Sequence, residues 1–286
     1  MCVIICLVDY KFVNQVIYMS KNLAVIGVGN MAKAIISGIK KSDIKINKYF
    51  LYDVYPSQYS ALIDDNTVAC DSITEAIENA DCVLLSVKPQ NFPEVLKEIA
   101  SLPSSINKLY ISIAAGITTQ AISEALNTKN IVRVLPNIPM IISKGVTAVC
   151  YNDSVSSNDF GFVVDVFNAC GSVIKINESD MNKTIGVTSS SPAYVFKFIN
   201  AIYEGARSQG LDSDELLSTI CDVIIGSAEL IKSGYGTPEN MVKAVASKGG
   251  TTEKALLVME ENNFDGIISD AMRACTKRAD ELGKIK

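Results

Sequence analysis

The segment LAVIGVGNMA at positions 23–32 constrains the fold more than any other part of the chain. An apolar run passes straight into a glycine turn and then into a helix whose inner positions are Met31, Ile35 and Ile36. Gly27 is placed to make the tight turn, Gly29 to let a pyrophosphate approach the backbone, and Ala32 to keep the helix close to its strand. Gly27, Gly29, Asn30 and Met31 are therefore candidate cofactor-binding residues, with the diphosphate resting on unpaired N–H groups at the helix start. Glycine-rich turns are common. It is the preceding strand pattern of Leu23, Val25 and Ile26 that makes this one read as a dinucleotide turn.

From position 19 to about 175 the chain alternates short apolar runs with helical stretches. Strands are expected at 23–28, 48–53, 67–70, 82–87, 109–113, 131–135, 146–150 and 172–176, and helices near 30–41, 72–79, 90–99, 118–127 and 157–169. This alternation is what a mainly parallel sheet covered on both faces requires, with its ligand crevice beyond the C-terminal strand ends. After Glu178 strand patterns disappear. Pro192 suits the first turn of a helix bearing Phe196, Ile199 and Tyr203, and Leu216, Ile220, Val223, Ala228 and Ile231 mark the next apolar face. Shorter helices are expected at 238–246, 252–261 and 266–282. The fold class is thus α/β, an N-terminal Rossmann-type mainly parallel sheet with a C-terminal all-helical dimerisation domain. The expected domains are 19–177 for dinucleotide binding and 178–286, a helical domain to which the resemblance given below assigns substrate binding and dimerisation. Apolar helical faces this broad are hard to bury within about 110 residues, so a second subunit, and with the resemblance a homodimer, is expected; the alternative is that these helices simply pack on the first domain.

Composition excludes several chemistries. The net charge of −5, with both signs interspersed, leaves no footprint for nucleic acid. There is no histidine, which removes Ser-His-Asp and Cys-His catalysis and histidine metal sites. The eight cysteines are scattered with no Cys-x-x-Cys pair, so buried thiols in the cytoplasm are expected rather than disulfides or a metal site. The apolar run before Asp9 is too short to span a membrane. Residues 1–18 read as an N-terminal extension, either an upstream translated segment or an extra strand or arm.

Further blocks extend the pattern: DCVLLSVKPQ at 81–90, RVLPNIP at 133–139, SPAYVF at 191–196 and SKGGTTEKAL at 247–256. With VIGVGNMA, in this order, they make the chain resemble the pyrroline-5-carboxylate reductase family from Met19 to Leu282. The family reduces the cyclic imine 1-pyrroline-5-carboxylate to L-proline with NADPH or NADH, the last step of proline biosynthesis. The resemblance places Val87, Lys88 and Pro89 on the ribose or nicotinamide side, although Lys88 read alone is equally a solvated lysine before a helix-starting proline. Asn137, in a loop restrained by Pro136 and Pro139, looks like an orienter of the cofactor amide or of the loop. Arg133 reads as a structural ion-pair residue. Gly249, Gly250, Thr251 and Thr252 open a helix where backbone N–H groups converge into an anion nest, or where a threonine simply caps it. The resemblance implies that this turn holds the substrate carboxylate. Thr252 and Asn137 are the candidate catalytic residues; no side-chain acid is assigned for the imine nitrogen, which enters protonated or takes its proton from water near Thr252.

Three departures from the family pattern stand out. Ser189 and Ser191 fall in a run that commonly carries glycine, which is a source of strain wherever positive φ is required. Lys248 replaces a proline and joins the possible carboxylate partners. Asp53 closes the second strand, where a carboxylate accepts from the adenosine ribose and repels a 2′-phosphate, and the following Val54, Tyr55 and Ser57 include no lysine or arginine to offset it. Asp53 thus leans towards NADH while the family habit leans towards NADPH. The alternatives are a non-catalytic regulatory or competence-associated paralogue, a reductase of another cyclic imine, or a hydroxyacid dehydrogenase, for which Lys183 in MNKTIG is an unconvincing catalytic lysine. Assembly beyond a dimer is open.

Overall fold

The computed structural model describes residues 20–284, so the N-terminal extension at 1–18 lies outside the described residues. The alternation resolves into β1 (Lys21–Ile26), α1 (Asn30–Lys40), β2 (Ile46–Tyr52), β3 (Thr67–Ala69), α2 (Ile73–Glu78), β4 (Cys82–Leu85), α3 (Phe92–Ala100) and β5 (Leu109–Ser112). It continues with α4 (Thr119–Leu126), β6 (Ile131–Leu135), β7 (Gly145–Tyr151), α5 (Ser157–Asn168) and β8 (Gly171–Lys175). The eight strands form one sheet in the order β3-β2-β1-β4-β5-β6-β7-β8. All neighbours run parallel except β6 and β7, which are antiparallel.

Alternate residues of each strand enter different cores, as the period-two geometry of a strand requires. Leu23, Val25, Leu84, Ile111, Val132 and Val134 pack on one face with the inner sides of α1 and α5. Ala24, Ile26, Val83, Leu85, Tyr110 and Ile131 pack on the other with α2, α3 and α4. Because both faces are covered, the central strands β4, β5 and β6 are buried at every position, whereas β3 and β8 at the sheet's edges keep exposed residues.

The chain divides into two compact units, the first running to Ser190 and resuming at Met272, the second being Ser191–Ala271. A helix absent from the sequence pattern, α6 (Glu178–Thr184), closes the first unit, because Met181 and the following Ile185 join Leu135, Ala148, Cys150 and Ala279 in a third cluster. The second unit holds α7 (Ser191–Ser208), α8 (Leu216–Lys232), α9 (Pro238–Val245) and α10 (Thr251–Glu261), and the long α11 (Phe264–Leu282) follows. Within this chain α7, α9 and α10 bury no residue, and Phe196, Phe198, Ile225 and Val258 are exposed. None of the described helices is long and apolar enough to cross a membrane.

One polar network stands inside the first unit. Arg133 on β6 is fully buried; it donates to Glu178 at 2.7 Å and to Asn182 at 2.6 Å, and Asn182 in turn donates to Asp280 of α11. The Cys150 thiol donates to the other Glu178 oxygen at 3.0 Å, and burial, reinforced by that carboxylate, pushes the thiol well above its ordinary range. Arg133 is therefore a structural ion-pair residue that ties α6 and α11 to the sheet. None of the described cysteines forms a disulfide, and burial pushes the Cys82 thiol up to about 12. Removing one partner of a buried pair strands the other's charge, which costs about 3 kcal/mol at the lower end of the usual range, the end suited to a Glu178 that is partly exposed. Glu178→Ala should lower the urea midpoint accordingly; an unchanged midpoint would show that Arg133 needs no counter-charge.

Candidate active site

Strand order locates the crevice. From β1 the chain moves outward to β2 and β3, then crosses back to place β4 on β1's other side, so the topological switch point lies between β1 and β4. At that point Gly27 has φ of +86°, its N–H donates to the Tyr52 carbonyl, and the Ser86 N–H donates to the Ile26 carbonyl. A Cβ on Gly27 would lie 2.9 Å from the Ser86 backbone and from Cγ1 of Val87. Only glycine fits here, on both conformational and spatial grounds.

Gly29 differs: its backbone is extended and a Cβ there would meet nothing within 4 Å. It is the N-cap of α1, and no side chain caps that helix, whereas Ser72, Thr118 and Ser156 each cap theirs and α3, also without a side-chain cap, is entered through the 3-10 turn Pro89–Asn91. The first turn of α1 is thus left without a side-chain cap at the switch point, which fits a pyrophosphate.

Asp53 closes this turn from the β2 side. One carboxylate oxygen accepts from the Val28 N–H at 2.7 Å and the other from the Tyr55 N–H at 2.9 Å. The side chain is thereby fixed, with a second lone pair left on each oxygen. The loop itself carries no lysine or arginine, as its sequence says, but the tertiary structure brings one from elsewhere. Lys33 of α1 reaches across, and its Nζ donates to Oε1 of Gln58 at 2.7 Å. Lys33 belongs to a different element, so the loop sequence alone did not reveal it.

Beyond β4, Val87 packs against the glycine turn, Lys88 is exposed, and Pro89 starts a short 3-10 turn leading into α3. Asn137 lies after β6 and is only 6 % exposed. Its Nδ2 donates to the Thr188 carbonyl at 2.9 Å and its Oδ1 accepts from the Val146 N–H at 2.8 Å. Of the two roles read for Asn137, orienter of the cofactor amide or of the loop, this geometry fits the second. Both ends of the amide are engaged by the protein, and each keeps one further hydrogen-bonding position.

The serine run following Thr188 is unstrained. Positive φ among the described non-glycine residues occurs at Asn127, Ser143 and Asn263 alone, so Ser189 and Ser191 occupy ordinary conformations. Ser189 and Ser190 donate their N–H groups to the Ile185 carbonyl. The Ser189 Oγ is buried with no hydrogen-bond partner. Lys183 is a surface residue paired with Asp180.

In the second unit Gly249 takes φ of +74° and Gly250 is the N-cap of α10, with no side-chain cap. A threonine cap is therefore not what forms: Thr251 and Thr252 are the first two helical residues. The Gly249 N–H donates to a Glu253 carboxylate oxygen at 2.8 Å, so one donor of the nest already serves an anion from within. Lys248 and Thr251 are exposed, and Thr252 is half-buried.

Comparison with known proteins agrees with this geometry. Residues 178–282 match the family model described as pyrroline-5-carboxylate reductase dimerisation, and residues 22–116 match that described as NADP oxidoreductase coenzyme F420-dependent. The pyrroline-5-carboxylate reductase of Escherichia coli (strain K12) is 34 % identical over 271 residues, covering 93 % of this chain and all of that protein. Among solved structures, the Plasmodium falciparum pyrroline carboxylate reductase with NADP bound has a TM-score of 0.83 at 28 % identity, covering 92 % of this chain and 98 % of that one. The 1-pyrroline-5-carboxylate reductase of Streptococcus pyogenes also has a TM-score of 0.83, at 26 % identity, with 92 % and 99 % covered. A glycine turn at the sheet's switch point, a dimerisation domain matched over residues 178–282 and relatives aligned over nearly their whole length lead to one conclusion: this chain belongs to the pyrroline-5-carboxylate reductase family.

Proposed function

We propose that this protein reduces 1-pyrroline-5-carboxylate to L-proline with NADH or NADPH, and that the uncapped α1 start beside Gly29 is the observation that carries the reading. Reduced nicotinamide supplies a hydride to the imine carbon, while the ring nitrogen ends as an amine after taking one proton. The chain's work is then to bind, align and exclude. Gly27, Gly29, Asn30 and Met31 cradle the pyrophosphate. Asp53 holds the adenosine ribose while bracing the turn. Val87, Lys88 and Pro89 border the ribose and nicotinamide.

In this reading Asn137 is a positioning residue that fixes the loop after β6. The substrate carboxylate takes the N–H groups of Thr251 and Thr252 with the Thr252 hydroxyl, and Lys248 adds a positive charge at the rim. No histidine is present to donate the proton. The imine therefore enters already protonated, or is protonated by water beside Thr252. The exposed apolar faces of α7, α8 and α10 bind a second copy of the chain, giving a homodimer that is able to associate further. The same reading places the enzyme in the cytoplasm.

The direct test is oxidation of NADH and NADPH by the purified protein with the five-membered imine, alongside its six-membered analogue. Turnover of the five-membered ring is expected; cofactor binding without any imine reduction would instead favour a regulatory paralogue. Gly29→Ala separates fold from function. Its Cβ meets no protein atom, so thermal stability should stay as in the wild type while NADPH affinity falls at least tenfold; unaltered affinity would remove the pyrophosphate from this turn. Thr252→Ala should raise KM more than it lowers kcat, with a loss in kcat/KM worth about 1–3 kcal/mol. Unchanged kinetics would remove the carboxylate from the turn before α10.

A further inference from the structure

The glycine turn and Asp53 explain how the shared part of NADH and NADPH is held, but they leave Lys33 without a task. It lies four residues beyond Gly29, one helical turn into α1, and is partly buried. Its Nζ is held at 2.7 Å by Oε1 of Gln58, which lies in the short 3-10 turn Pro56–Gln58 just after Asp53. The partner is a neutral amide, so the ammonium keeps its full charge above the loop where the adenosine ribose would lie. Asp53 cannot turn away from that ribose, because the Val28 and Tyr55 N–H groups hold both of its oxygens.

We propose that Lys33, held in place by Gln58, is the cation that admits the 2′-phosphate of NADPH beside Asp53. The inference rests on the dinucleotide reading of the β1–α1 turn. A ribose bound there reaches the end of the second strand, and a 2′-phosphate at that point meets the fixed Asp53 charge. Opposing charges within a few ångström decide such a contest, and the loop after Asp53 contains none. Lys33 supplies it from the helix. Gln58 is suited to hold the lysine, since its oxygen can keep the ammonium while its NH2 group donates to a phosphate oxygen. A carboxylate at position 58 would neutralise the lysine and add a second repulsive charge.

The test is calorimetric binding of NADP+ and of NAD+ to the full chain, two probes that differ only in the 2′-phosphate. Lys33→Met, which keeps the aliphatic stem, should weaken NADP+ at least tenfold and NAD+ less than threefold. Lys33→Arg should retain most of the difference, and Gln58→Glu should act in the same direction as Lys33→Met. The ratio of kcat/KM for NADPH over NADH should fall in parallel. Equal weakening of both probes, or no change in either, would overturn the role of Lys33 while leaving the dinucleotide site in place. A wild-type protein that binds neither probe would overturn the dinucleotide reading and this inference with it.

Discussion

The contact between Gly27 and the backbone of Ser86 is the constraint from which the rest of the site follows. It leaves no room for a side chain where the end of β1 meets the end of β4, at the one place where the strand order reverses. A side chain at position 27 would hold those ends apart and would also meet the conformational cost of positive φ. Asp53 completes the arrangement by tying the third neighbouring strand end to the same turn through Val28. The result is a rigid rim built from three strands. From it α1 starts without a side-chain cap, unlike the three sheet-covering helices that spend a serine or threonine on their own caps.

Rigidity matters because this chain has few chemical groups to spend. Without histidine, and with its described thiols outside any disulfide and largely buried, it relies on placement rather than on proton traffic. Two of the buried polar side chains serve as braces. Arg133 is sealed inside the first unit and holds α6 and α11, and Asn137 spends both ends of its amide on Thr188 and Val146. Reduction of an imine by a nicotinamide suits such a protein, since the hydride comes from the cofactor and orientation is what remains to be supplied.

The sheet was legible in the sequence because strands buried on both faces leave unbroken apolar runs, and each of the eight is found where its run predicts. The single antiparallel pair, β6 with β7, was not legible, since residue pattern carries no strand direction. Helix α6 escaped because only Met181 and Ile185 are apolar at the needed spacing, and their burial depends on Leu135 and Ala279 far away in the chain. The glycine turn could be read residue by residue, its chemistry being backbone chemistry. Lys33 could not, because its significance depends on Gln58, 25 residues away, and no local rule joins the two. The serine run invited a reading of strain that the backbone does not carry, since neither Ser189 nor Ser191 takes positive φ.

The central claim is that one rim, made of the turn after β1, the loop after β2 and the loop after β4, holds the dinucleotide. Amide hydrogen exchange with and without NADPH reads all three segments at once. Slowed exchange is expected together at residues 27–33, 53–58 and 86–91, with no change at the opposite, N-terminal ends of β5 and β6 around Lys108 and Asn130. Protection confined to one of these segments, or appearing at the opposite strand ends instead, would contradict the account.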